Sequence, residues 1–185
     1  MRLAATINLK KTQRNLLINP TVNDNKIIIA ISAITLVLLI GTVLLASKMS
    51  NSAKVSANNG ATAEVNNTSY DWGTIGINNG KVEAWFEIKS VGSKTLKLFN
   101  STTSCACTSA QVFVDDKTSP LIGMHTKSTY VSEVPPGKTA KVKVIYDPLF
   151  HGPNGIGSID RQVTLETNDP QRPSIIFFVK AQVIK

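Results

Sequence analysis

Lys81-Val82-Glu83-Ala84-Trp85-Phe86-Glu87-Ile88-Lys89 alternates without a break. In an extended chain Val82, Ala84, Phe86 and Ile88 share one side and Glu83, Trp85, Glu87 and Lys89 the other, the period-two signature of a half-buried strand. The same period continues outward. Thr95 to Ser101 and Ser109 to Val114 read as strands, and Tyr130 to Val134 as a weaker one closed by Pro135-Pro136-Gly137. Ala140, Val142, Val144 and Tyr146 form one face of the next strand, with Lys141 and Lys143 on the other. Ser158 to Thr167 and Ser174 to Ile184 complete the set, separated by Asn168-Asp169-Pro170 and Pro173, which cannot continue a sheet. Seven or eight short strands in about 115 residues, with no helical period among them, predict an all-β fold, a sandwich of immunoglobulin type.

Before this domain the composition changes twice. Ile27 to Ala46 holds 20 residues without a charge. As a helix rising 1.5 Å per residue such a run spans roughly 30 Å, the thickness of a bilayer's hydrocarbon core. A cleaved signal peptide is the rival reading, but its apolar region should be about 7 to 15 residues and lie close to a small-x-small site. An acceptable site, Val55-Ser56-Ala57, lies well past the run. An uncleaved single transmembrane helix over 27–46 is therefore expected. Arg2, Lys10, Lys11, Arg14 and Lys26 against Asp24 place +4 of the net +8 charge in residues 1–26, so the positive-inside rule makes that segment a cytoplasmic basic tail and puts the rest outside the cytoplasm. Residues 47–62, rich in Ser, Asn, Ala and Thr, read as a flexible tether, and 63–185 as the sandwich domain.

Charge concentrated in the tail, rather than on the folded part with interleaved aromatics, argues against nucleic-acid binding. Enzyme chemistry finds no foothold either. Neither histidine comes with a nucleophile motif, and Gly155-Ile156-Gly157 lacks the strand-to-helix setting that cradles phosphate. The membrane is the expected partner. A protein partner at the last strand is a further expectation, because Ile176 and Phe178 make its second face apolar as well as its first.

Both cysteines fall in Ser104-Cys105-Ala106-Cys107-Thr108, between two strands. His125 follows Met124 in the long Asp115 to Thr129 segment, and His151 opens Gly152-Pro153-Asn154-Gly155. With immunoglobulin topology the cysteine turn, the long segment and the loop holding His151 all belong to one end of the sandwich. Cys105, Cys107, Met124, His125 and His151 then form a thiolate, thioether and imidazole set that suits a soft metal, a copper ion in preference to zinc. Two other readings stand beside it. The cysteines form a disulfide, which requires a turn between them to bring the Cα atoms within about 4.4 to 6.8 Å, or they are buried small hydrophobes.

Five motifs in order resemble a known family: Tyr70-Asp71-Trp72-Gly73-Thr74-Ile75, Phe86-Glu87-Ile88 before Gly92, the cysteine stretch, Pro136-Gly137 before a Val-x-Val strand, and Thr167-Asn168-Asp169-Pro170. Over roughly Ala63 to Lys185 the chain is similar to the exported bacterial family catalogued as domain of unknown function fifteen-seventy-three, itself similar to the immunoglobulin-like ASPM, SPD and Hydin modules. The resemblance implies a seven-stranded sandwich and no established enzymatic activity. Ser90 stands where that family usually has Asn, and Ala106 where it usually has Gly. The resulting expectation is a bacterial, membrane-anchored, extracytoplasmic domain that binds a soft metal. A metal-free interaction, adhesion or scaffold module is the alternative.

Overall fold

The computed structural model describes residues 24–48, 52–126 and 128–185. The basic tail expected over 1–26 lies almost wholly outside them. One helix, α1 (Asp24–Lys48), carries the uncharged run. Among the described residues it is the only helix long and apolar enough to cross a membrane. Its threonine hydroxyls are satisfied within the helix: Thr35 donates to the Ser32 carbonyl and Thr42 to the Leu39 carbonyl, both at 2.9 Å. That is what a helix needs where no water can serve its polar groups.

The second unit, Asn51–Lys185, is a two-sheet sandwich. Its strands are β1 (Ala63–Glu64), β2 (Ser69–Gly76), β3 (Val82–Ser90), β4 (Leu96–Thr103), β5 (Thr108–Val114), β6 (Lys117–Thr118), β7 (Ser132–Val134), β8 (Thr139–Tyr146), β9 (Gly157–Thr167) and β10 (Ser174–Ile184). One sheet has the order β1-β3-β8-β5-β6, the other β2-β10-β9-β4-β7. The pairings are antiparallel except β2 with β10, which is parallel. The immunoglobulin-like architecture expected from the alternation is thus present, with short β1 and β6 added at the edges of one sheet.

The alternation of β3 is obeyed residue by residue: Ala84, Phe86 and Ile88 are buried and Glu83, Trp85, Glu87 and Lys89 exposed. Phe86 stacks on Phe177 of β10 across the interior, with ring centroids 4.4 Å apart. A smaller apolar cluster of Ile77, Cys107, Tyr146, Ile159, Ala181 and Val183 fills one end. Trp72 bridges the sheets beside it, stacking on Tyr146 and donating its indole N–H to the Glu83 carbonyl at 2.9 Å. That bond falls on the part of β3 that β1, paired only at Lys89 and Ser90, leaves open.

Residues 52–62 differ from the expected tether. Asn100, at φ 44° in the irregular stretch of β4, accepts from the Ala53 N–H at 2.9 Å and donates to the Ala53 carbonyl at 3.2 Å. The Asn58 N–H donates to the Asn168 carbonyl at 2.8 Å, and Ala53 and Ala61 are buried. The segment lacks large apolar side chains, and what holds it instead is hydrogen bonds of its backbone together with small buried alanines. The Thr167-Asn168-Asp169-Pro170 motif works similarly. Asn168 accepts from Lys97 N–H and donates to the Thr95 carbonyl, while Asp169 accepts from Ala63 N–H at 2.9 Å, so one buried turn fixes the starts of β4 and β1. Ser90, the departure from the family's usual Asn, is fully buried, and its hydroxyl has no partner among the described residues.

Candidate functional site

The site is built by strand register. β5 begins where β8 ends, with Thr108 opposite Tyr146, so the cysteine turn before β5 lies beside the loop after β8. The Asp147 N–H donates to the Cys107 carbonyl at 2.9 Å and ties the two together. From there Gly152–Gly155 makes a short 3-10 turn with His151 at its start. In the other sheet β4 ends beside the middle of β9, with Thr103 opposite Val163. The Ser104 N–H donates to the Gln162 carbonyl, and Ser104 Oγ accepts from the Gln162 N–H, both at 2.9 Å. This brings Arg161 to the cysteines.

The sulfurs of Cys105 and Cys107 and a ring nitrogen of His151 lie within 4.8 Å of one another. Cys105 Sγ is 3.4 Å from His151 Nε2 and accepts the Cys107 N–H at 3.2 Å. Cys105 and Cys107 are disulfide-bonded, with Cα atoms 5.2 Å apart, because the chain turns at Ala106 instead of staying extended. Thr103 Oγ1 donates to the Cys105 and Thr108 carbonyls at 3.0 Å and stabilises that turn. Cys107 is buried in the small end cluster and Cys105 is half-buried.

Of the five residues expected to share one ion, the structure gathers Cys105, Cys107 and His151. His125 is outside this group, in an exposed turn with Met124. The turn is anchored to β4, since Thr102 Oγ1 donates to the Met124 carbonyl at 3.1 Å, and Ile122 bridges Ala110 of β5. The long segment does return toward the expected end, but it stops against the flank of β4 and β5.

Arg161 was not anticipated. It is half-buried, its Nε–H donates to Cys107 Sγ at 3.2 Å, and it has no carboxylate ion pair among the described residues. A signal was present in the strand period. Ile159, Val163, Leu165 and Thr167 are the inward positions of β9, and Arg161 falls in the same phase. A cation in that phase requires hydrogen-bond partners, and besides the weakly accepting sulfur its Nη1 donates to the Asp160 carbonyl at 3.0 Å. Burial pushes the Tyr146 hydroxyl's pKa above its ordinary 10.0, opposed by the Arg161 charge and aided by Asp147. Tyr146 is therefore a protonated wall of the site at neutral pH and not a base.

Fold and site together define an immunoglobulin-like sandwich with a cysteine pair, a histidine and an arginine at one end. Residues 63–183 match the family described as "Protein of unknown function (DUF1573)", and the chain belongs to that family. No curated protein matches it. Among solved structures it is similar to a protein of unknown function from Porphyromonas gingivalis W83, at 25% identity and TM-score 0.52, over 69% of this chain and 49% of that one. The chain thus spans about half the length of that protein. It is also similar to the seventh PapD-like domain of human CEP192, at 15% identity and TM-score 0.44, over 71% of this chain and 91% of that one.

Proposed function

We propose that this chain is a single-pass membrane protein, N-terminus cytoplasmic, whose extracytoplasmic sandwich binds Cu(I) through Cys105, Cys107 and His151 when the cysteines are reduced. The observation that carries this reading is the convergence of two sulfurs and an imidazole nitrogen within 4.8 Å from loops far apart in sequence. The 3.4 Å between Cys105 Sγ and His151 Nε2 suits two ligands each about 2.0–2.3 Å from a common ion. Charge favours copper over zinc. Two thiolates and Cu(I) leave one negative charge, which the Arg161 guanidinium balances, whereas Zn(II) would leave the cation uncompensated.

The expected test is stability against metal. Cu(I) supplied anaerobically to the reduced full chain in detergent stabilises the sandwich by RT ln(1 + [L]/Kd), about 4 kcal/mol at a thousandfold excess of free metal over Kd. Cys105→Ser and His151→Ala each remove most of that gain. Indifference of the wild-type chain to Cu(I) overturns the reading and leaves the interaction-module alternative. For that alternative, β10 lies between β2 and β9, so a partner meets the outer face carrying exposed Ile176 and half-buried Phe178, not a free strand edge.

A further inference from the structure

We propose that Cys105 and Cys107 form a thiol–disulfide exchange couple that takes two electrons from a dithiol, with Cys105 the sulfur attacked and Cys107 the thiolate released against Arg161. This goes beyond the copper reading and does not require it.

A structural staple is a poor account of this disulfide. A cross-link stabilises mainly by closing a loop of the unfolded chain, and this one joins residues only two apart. What surrounds it suits the reduced form. A neutral disulfide sulfur is a weak acceptor, so the half-buried Arg161 gains little from pointing Nε–H at Cys107 Sγ. Once Cys107 is a thiolate, the same 3.2 Å contact becomes a charge-assisted bond, and no carboxylate ion pair among the described residues competes for the cation. Thr108 Oγ1, 3.7 Å from the same sulfur, is a second donor. Exposure separates the two sulfurs in the same sense. Cys107 is 3% exposed and belongs to the end cluster, while Cys105 is half-buried at the surface beside exposed His151.

In the first step a thiolate of the dithiol attacks Cys105 Sγ. A sulfur–sulfur bond to Cys105 forms as the Cys105–Cys107 bond breaks, and the electron pair goes to Cys107, which departs as a thiolate facing Arg161. In the second step the reductant's other thiol, its proton lost to water, attacks its own partner sulfur. The reductant becomes a disulfide and Cys105 is released as a thiolate. Two electrons have passed to the pair, and the reverse sequence oxidises a dithiol.

The test uses the full chain in detergent, with copper chelated throughout so that metal binding does not enter. Dithiothreitol is the reductant, and alkylation followed by mass measurement reads the reduced fraction over time. Wild type is expected to be reduced about tenfold faster than Arg161→Gln, with Arg161→Lys close to wild type, since loss of leaving-thiolate stabilisation slows exchange. In the single-cysteine chains, Cys107→Ser forms a mixed disulfide with an activated thiol reagent rapidly, and Cys105→Ser forms one slowly because its remaining sulfur is buried. Equal rates for wild type and Arg161→Gln, or equal reactivity of the two single cysteines, overturn the proposal. Should Arg161→Gln fail to fold, the single-cysteine comparison decides alone.

Discussion

Cys105, Cys107 and His151 were legible in the sequence because the chemistry was scarce: two cysteines and two histidines leave few combinations, and strand direction sends all four to one end, where the structure groups three of them. His125 was not separable from them. Its position depends on the Ile122 bridge to Ala110 and the Thr102 hydrogen bonds, and no periodicity in the long segment encodes those contacts. Arg161 was readable in retrospect, as a cation in the inward phase of a strand. Its neighbour Tyr146 carries a pH prediction. Its folded pKa is raised above 10.0, chiefly by desolvation, so the folded state holds this proton more tightly than the unfolded state does. Stability from this group is full below pH 10 and declines as pH rises above it through the folded value. Denaturant unfolding at a series of pH values should show that decline in wild type and a shallower one in Tyr146→Phe. Identical slopes would mean that burial does not govern the hydroxyl.

At the scale of elements, strands with clean alternation were fully readable and those interrupted by special backbone were not. β3 and β8 pair from Val82 opposite Tyr146 to Lys89 opposite Thr139, and their inward residues follow the period. β2 shows why the rest was hidden. Gly73 sits at φ 68°, and the β2–β10 register shifts between Lys180 and Gln182, so the alternation of Tyr70, Asp71 and Trp72 does not carry through to Thr74 and Ile75. The family motif marked that stretch, and Trp72 closing the gap to β3 gives its physical reason. For β3 itself, Phe86 is 2% exposed and stacked on Phe177, so Phe86→Ala should cost about 3 to 5 kcal/mol in denaturant unfolding. A loss near zero would contradict the stacked core.

For the whole molecule, the two units differ in their apolar pattern. α1 is apolar all round from Ile27 to Ala46, with its threonine hydroxyls bonded to its own carbonyls, whereas the strands of the sandwich alternate between buried and exposed residues. The basic residues before the helix predict that a reporter fused after Lys185 is active only outside the cytoplasm. Cytoplasmic activity would reverse the orientation, and a mature chain beginning at Asn58 would indicate a cleaved signal instead. An extracytoplasmic location also suits a cysteine pair that cycles between disulfide and dithiol. The central claim, one soft-metal site made by Cys105, Cys107 and His151, is tested most directly by anaerobic titration of the reduced full chain with Cu(I) against a chromophoric copper chelator. The account predicts that each chain withdraws about one Cu(I) from the chelator and that His151→Ala and Cys105→Ser lose that capacity, as soft thiolate and imidazole ligation requires. Failure of the wild-type chain to compete, or competition by His151→Ala equal to wild type, would contradict it.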